Sequence, residues 1–325
     1  MRFSAYIPWT SQALASLRKS PKMKVKLVQV WQQKAVSAKS TPISRCCKLI
    51  DLQVSSYYAI TVRQALLSKV NNTQIALKAA FMASGQTYGS RRLVRTLNNQ
   101  GDVIGRYRVR TMMKAAQLVP VWKRRFVRTT DSKHTGRIAP NLLQQDLKVT
   151  QVNTVWVADI TYIRTQSGWL YWAAVMDLYA RKIVGWAFAS HMRASLVCSA
   201  LNMTTVARRP SAGLLVHTDQ GSQYASDDYL ALLTKHQITA SMSGRGNCYD
   251  NAVMERFFLN LKMERVWQTH YANHQETVKD IRQYIVAFYN GCRLHSSLGY
   301  LSPNQFEAKL TENQPIMSIE VSNFS

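Results

Sequence analysis

"TVWVADITYI" (residues 154–163) and "GWLYWAAVMDLYARKIVGWAFAS" (168–190) decide the fold. In the first stretch, apolar side chains occupy both alternating faces. Val155, Val157 and Ile163 lie on one face, and Trp156, Ala158, Ile160 and Tyr162 on the other. A strand apolar on both sides belongs in the middle of a sheet with helices on its two faces. The second stretch reads as two further strands around a turn near Ala180 and Arg181. Beyond it, "SLVCSALNMTTVARR" (195–209) is helical, and "GLLVHTDQGSQYAS" (213–226) is a short apolar run that ends in a polar turn. In "GNCYDNAVMERFFLNLKMER" (246–265), Met254, Phe257, Phe258 and Leu261 form the buried stripe of a helix, with Asp250 or Asn251 available as its cap. The order β-β-β-α-β-α-β-α predicts a mixed sheet with helices on its faces.

Three acids stand out against that pattern. Asp159 shares the Val155, Val157 and Ile163 face, with no Lys or Arg within four residues on either side. An ionised carboxylate there is costly unless something positive meets it. Asp219 stands at the mouth of a short strand, a position where loops carry function; an Asx turn bonded to its own backbone is the structural alternative. Glu255 sits near a helix start, where the helix dipole alone favours an acid. Singly, each has a structural reading. Together, carboxylates from a central strand, a strand end and a helix form a hard-oxygen set suited to Mg²⁺ or Mn²⁺. Two such ions about 3.5–4 Å apart support phosphodiester displacement. Asp177, in "VMDLYARK", is read as a structural turn residue.

Composition points to the substrate. The 325 residues are 46% hydrophobic and carry a net charge of +25, far more than solubility requires. Residues 1–150 hold 27 Lys and Arg against four acids, giving +23, while residues 151–325 hold 15 basic and 13 acidic residues, giving +2. The first part is built to grip a polyanion, and the second does something that needs carboxylates. No apolar run approaches the length of a membrane span, and no export signal is visible, so a cytosolic protein is expected. Five cysteines, odd in number and without C-x-x-C, argue for reduced thiols. His270 and His274 are spaced as a helical metal pair, but lack the neighbours of a zinc site.

Residues 1–40 are basic and acid-free, and read as an arm or a weakly specified helix. "ISRCCKLIDLQVSSYYAI" (43–60) has the arrangement of a helix-turn-helix, its second helix opened by Ser55 or Ser56. "QTYGSRRLVRTLNNQGDVIGRYRVRTMMKAAQL" (86–118) follows, with Leu93 and Leu97 on one helix and Val109, Met112, Met113 and Ala116 on the next. Arg91, Arg92, Arg95, Arg106, Arg108 and Arg110 surround those apolar faces as candidate DNA contacts. The expected organisation is therefore a basic arm (1–40), a helix-turn-helix region (41–120), a basic linker (121–150), a catalytic core (151–308) and a tail (309–325).

"WVADITYI", "HTDQGSQYAS", "RGNCYDNAVMERFFLNLKME" and "FYNGCRLHSSLGYLSP" resemble the motifs of bacterial insertion-sequence transposases of the IS-three family, in particular their OrfB catalytic protein. The resemblance runs from about residue 43 to 307. It implies a DDE enzyme with an RNase H-like core of the retroviral-integrase type, in which Asp159, Asp219 and Glu255 are the acids. Residues 219 and 255 are separated by 255 − 219 − 1 = 35 residues, the spacing of that group. The resemblance also implies two Mg²⁺ or Mn²⁺ ions with DNA bound, and double-stranded partners in the form of the element's terminal inverted repeats and a target. A homo-oligomer on DNA and a nucleoid-associated bacterial location are implied as well. Lys262, two turns beyond Glu255 on the same face, is assigned to DNA; Asn251 and Arg245 are weaker candidates for positioning the loop. Gln220 departs from the family, where an Arg commonly follows the second Asp. Residues 1–40 show no sustained heptads, so the chain resembles OrfB alone and is expected to work with an upstream OrfA-type helix-turn-helix protein. No His-x-x-x-His with Cys-x-x-Cys precedes the core, so the zinc domain of retroviral integrases is not expected. The competing readings are an RNase H-like nuclease and a catalytically idle DNA-binding regulator.

Overall fold

The computed structural model describes residues 20–34, 42–121, 138–143, 149–244 and 251–312. Most of the arm and linker, the end of the tail, and Arg245, Cys248 and Asp250 lie outside the described residues. Two compact units result. One holds the described residues up to Ala80 together with Leu97–Ile104; the other holds Phe81–Thr96 and the described residues from Gly105 onward.

The first unit begins with α1 (Pro21–Lys34), opened by a proline whose missing N–H costs nothing at a first helical position. Val25 and Val28, three apart on one face, join Cys46, Cys47, Leu52 and Tyr57 in a small core. α2 (Ile43–Leu49) supplies the two cysteines. The turn after it passes through Asp51 at a φ of 51°, and Lys24 Nζ donates to the Asp51 carbonyl at 2.7 Å. α3 (Val54–Ala83) then runs for 30 residues without a glycine or proline. Thus 43–60 does fold as helix, turn and helix, with the second helix opening at Val54 and extending well past Ile60. α3 ends in a left-handed turn: Gly85 and Gln86 both have φ 60°, and Gln86 N–H returns to the Phe81 carbonyl at 3.0 Å.

α4 (Ser90–Asn99) and α5 (Arg106–Ala115) follow. Leu93 and Leu97 on the former, and Val109 and Met113 on the latter, are buried as their spacing predicts.

β1 (Val155–Thr165) is the central strand of a sheet of order β3-β2-β1-β4-β5. β2 (Gly168–Asp177) and β3 (Lys182–Ala189) extend it antiparallel, turning at Arg181. After α6 (Ala194–Arg208), β4 (Leu215–Thr218) pairs parallel with β1; after α7 (Asp227–Lys235), β5 (Thr239–Met242) pairs parallel with β4. α8 (Ala252–Glu264), α9 (His274–Gln283), a π-helical turn (Tyr284–Asn290) and α10 (Pro303–Glu312) complete the unit.

The two faces of β1 enter two cores. Val155, Val157 and Ile163 pack with α8 residues Met254, Phe257, Phe258 and Leu261; Trp156, Ala158 and Ile160 pack with Val197, Ala200 and Leu201 of α6 and Tyr229 and Leu233 of α7. Asp177 has the turn role read from the sequence, accepting from Asn153 N–H at 2.6 Å and Ala180 N–H at 2.9 Å. Residues 138–143 run along the sheet edge. Leu142 N–H donates to Ser241 Oγ at 2.9 Å, and Leu143 is buried in the α8-side core, so this part of the basic linker covers an edge strand that would otherwise present unpaired backbone groups.

Candidate active site

Asp159 lies midway along β1, on the face that meets α8. Its Oδ1 accepts from Ile160 N–H at 2.7 Å. The carboxyl is pushed well above the usual range, first by desolvation, then by the charge of Asp219; Glu255 adds to this, and the Ile160 N–H and Lys262 oppose it. The charges of Asp219 and Glu255, 60 and 96 positions further along the chain (219 − 159 and 255 − 159), are thus felt at Asp159.

Asp219 follows the last residue of β4. Its Oδ1 accepts from Gly221 N–H at 3.0 Å, so the Asx turn is present, and it shapes the loop without removing the residue from the acid cluster. β5 buttresses this end of the sheet: His217 bonds Ser241 at 2.9 Å and Ser243 at 3.2 Å, and Gln220 Nε2 donates to the Ser243 carbonyl at 2.8 Å.

Glu255 is in the first turn of α8 and exposed. Beneath it, Trp172 of β2 meets Phe257 and Phe258 edge-on at 5.7 and 5.1 Å and stacks on Phe188 of β3 at 5.8 Å. Rigid rings have few rotamers to lose, so this contact fixes both the height and the rotation of α8. Asn251 occupies the cap position but makes no side-chain cap bond, and its buried Oδ1 has no partner among the described residues.

Among the described residues, no three His, Cys, Asp or Glu side chains are close enough to hold an ion as they stand. The donor set nonetheless fits a hard divalent cation: it consists of carboxylates only, and their mutual repulsion at Asp159 is what such a cation relieves. His270 and His274 do not form a helical pair, because α9 begins at His274 and is capped by Asn273.

Lys262 is a cation whose charge is felt at Asp159. Desolvation lowers its pKa while Asp159 raises it, and its Nζ stands 5.0 Å from the centre of the Tyr162 ring. The role of Tyr162 was not legible in the sequence, which placed it on the other face of β1. The six candidate arginines of α4 and α5 divide into two kinds. Arg91, Arg108 and Arg110 are exposed, and Arg106 is exposed with its Nε 3.4 Å from Ser90 Oγ. Arg95 lies over the Tyr300 ring, while half-buried Arg92 donates to the Leu294 carbonyl at 2.9 Å and covers the Tyr88 ring.

A mixed sheet flanked by helices, with acids from its central strand, a strand end and a helix, describes an integrase-type core. Comparison agrees with it. Residues 149–248 and 236–303 match family models described as "Integrase core domain", and residues 71–126 match "HTH-like domain". The chain is 40% identical to the "Insertion element IS600 uncharacterized 31 kDa protein" of Shigella sonnei, over 81% of this chain and 97% of that protein. It is 36% identical to "Transposase InsF for insertion sequence IS3A" of Escherichia coli K12, over 82% of this chain and 94% of that protein. Among solved structures, the HTLV-2 integrase catalytic core domain in complex with magnesium aligns with 48% of this chain and 96% of its own, at 14% identity and a TM-score of 0.38. The chain belongs to the IS3-family transposases. It is accordingly a polynucleotidyl transferase of DNA transposition, with DNA as its partner. No described helix is long and apolar enough to cross a membrane.

Proposed function

We propose that Asp159, Asp219 and Glu255 hold Mg²⁺ or Mn²⁺, two ions once DNA is bound, and that this centre cleaves one strand at an element end and transfers it. The observation that carries the reading is the convergence on Asp159 of charge from Asp219 and Glu255, three acids delivered by three separate elements. When bound, the ions activate the attacking oxygen and stabilise the leaving one. The chain's own residues do the rest. Trp172, Phe257 and Phe258 keep Glu255 at a fixed height above β1, and the Asx turn fixes the direction in which Asp219 presents its oxygens. Lys262, braced over Tyr162, meets a phosphate beside the acids, and a DNA 3′-hydroxyl held in line there competes with water through position alone.

In this reading the terminal inverted repeats and a target duplex are the substrates, the exposed arginines of α4 and α5 contribute to the grip, and the protein acts as a homo-oligomer in the bacterial cytoplasm on the nucleoid. In the same reading an OrfA-type helix-turn-helix protein is its partner in end recognition and assembly. The test is a plasmid carrying both element ends, incubated with the protein, its upstream partner and Mg²⁺. End-to-end junctions amplified across the joint support transfer. Hydrolysed ends without junctions, with binding confirmed, favour the nuclease, and binding without cleavage favours the regulator.

A further inference from the structure

α8 presents a second functional face. Arg256 and Asn260, spaced i and i+4, turn away from Glu255 into a cleft of about 840 Å³. Arg91 and Arg92, at the start of α4, contribute to its wall, and Arg181, Arg293 and His295 also line it. Five arginines therefore face one carboxylate, Glu264.

The internal bonds do not use up that charge. Arg293 pairs with Glu264 at 2.6 Å, both nearly buried, and Arg92 spends its Nε on a backbone carbonyl. Arg91, Arg181 and Arg256 make no hydrogen bond or ion pair among the described residues, so three guanidiniums are left over for the cleft. Arg181 is half-buried in the β2–β3 turn, in a left-handed conformation with φ 56° that fixes where its side chain leaves the backbone. Desolvation of this half-buried cation outweighs the favourable charges of Tyr289 and Asp177, and an external anion offsets the remainder. His295 adds an independent sign. Its Nε2 is buried without a partner, and desolvation together with Arg293, Arg92 and Arg181 depresses its pKa to about 3, so the imidazole stays neutral where the positive potential converges.

The anion must be extended, because the three free guanidiniums come from α4, α8 and the β2–β3 turn and surround a cleft too large for one phosphate. It also has to be reachable from the acids, since Glu255 and Arg256 are consecutive residues of one helix only about 10–12 Å across. A sugar–phosphate backbone that passes the acids and continues around α8 satisfies both conditions. We propose that this cleft is a second DNA-backbone seat, holding phosphates of a strand segment other than the one at the acids. The inference rests on DNA being the partner, but not on the roles given to Asp159, Asp219 and Glu255.

The test is the salt dependence of duplex binding by the full chain, comparing wild type with Arg91→Gln/Arg256→Gln and with a control pair, Lys235→Gln/Lys279→Gln, that removes the same charge from exposed positions outside the cleft. Each phosphate contact contributes roughly −0.9 to the slope of log K against log salt. The cleft pair should therefore flatten the slope by roughly 1.8, and the control pair should leave it unchanged. Equal slopes for wild type and the cleft pair overturn the proposal, as does equal flattening by both pairs, which would mean bulk charge alone. Both arginines are exposed, so the fold should survive; a thermal melt checks this, and the single variants give the same comparison at half the effect. Absence of duplex binding by wild type would sink the DNA partner itself, an outcome distinct from bound DNA with an unchanged slope.

Discussion

The two sides of the sheet are packed by different means. Toward α8 the contacts are aromatic, with Trp172, Phe188, Phe257, Phe258 and Tyr289 meeting ring on ring. Toward α6, Trp156 packs on aliphatic Val197, Ala200 and Leu201, and β3 lets that helix come so close that a Cβ built on Gly185 would stand 1.9 Å from Thr204 Oγ1. Large rings hold a helix at a fixed stand-off, whereas a glycine lets it sink onto the strand. In the proposed function the chemistry belongs to the side with the stand-off, because a carboxylate on α8 would have to hang over Asp159 with room for ions and a phosphate between them. The other side only has to be rigid.

If that division holds, the largest effect belongs to the acids. Asp159→Asn removes a charge but hardly any volume. Strand cleavage should fall by about 10²–10³-fold or more, the scale for losing a group that stabilises developing charge. Duplex affinity should stay near wild type, because the net charge of the basic half is untouched. Retained cleavage would remove Asp159 from the centre; parallel loss of binding and cleavage would point to a folding defect.

Trp172→Ala should come next. The ring is fully buried under α8, and truncations of this kind cost about 3–5 kcal/mol. Because the loss falls on the support of Glu255, residual folded protein should bind DNA yet cleave poorly. Trp172→Phe should recover most of the stability. A chemical denaturation midpoint with a cleavage assay on the same preparations separates these outcomes, and full cleavage by folded Trp172→Ala would break the link between the ring cage and the site.

How far the sequence discloses this arrangement depends on the range of the contact involved. β1 could be read because each residue's face is set by alternation, and the structure sends Val157 and Trp156 to the two cores that alternation assigned. The stripe on α8 and the turn at Asp177 are local in the same sense. The grouping of the three acids is an expectation from element order, a central strand, a strand end and a helix, to which the motif spacing adds. α1 had no visible role, because Val25 and Val28 acquire a core only when Cys46 and Cys47 arrive from another helix. The docking of Leu142 on Ser241 joins residues 99 apart, and a charge count over the linker carries no trace of it. The cleft is the extreme case. Its arginines come from four separate stretches of chain; Arg91 and Arg92 stand out locally as DNA-contact candidates, but nothing local joins them to Arg181, Arg256 and Arg293.

On the α6 side, Gly185→Ala should cost about 1–3 kcal/mol by overpacking, since the new Cβ would stand 1.9 Å from Thr204 Oγ1 and 2.9 Å from the Ala200 carbonyl oxygen, so α6 must back away from β3 even if Thr204 rotates. Thr204 Oγ1 donates to the Ala200 carbonyl at 2.7 Å, which resists the rotation. Combining Gly185→Ala with Thr204→Ser retains the hydroxyl and should not rescue; combining it with Thr204→Ala removes the nearest clashing oxygen and should recover only part of the loss, because the Ala200 carbonyl oxygen and the Cβ at 204 still stand 2.9 Å from the new methyl. Cleavage per folded molecule should remain near wild type in all three, in contrast to Trp172→Ala. A specific loss of cleavage in Gly185→Ala would mean that the two sides of the sheet are not separable.

The smallest effect should come from Glu307 on α10, which receives Lys182 of β3 at 2.7 Å and Arg208 of α6 at 2.7 Å. Burial pushes this carboxyl up, but the hydrogen bonds and charges of Arg208 and Lys182 together outweigh it and hold it below the usual carboxylate range. A depressed folded-state pKa means that the folded protein gives up this proton more readily than the unfolded chain. The stabilisation is therefore fully present at neutral pH, begins to fade as pH falls past the unfolded carboxyl's value, and is gone below the folded one. Partly exposed pairs contribute little, so Glu307→Gln should cost about 1 kcal/mol at pH 7, near the upper end for such pairs because two cations share the acid. The stability gap between wild type and Glu307→Gln, followed by denaturant titration, should stay constant from pH 7 down to about 4.5 and then close. A gap that widens on acidification would mean that burial, not the two cations, governs this carboxyl, and α10 would then owe its place to packing such as Phe306 against Tyr179 at 5.3 Å.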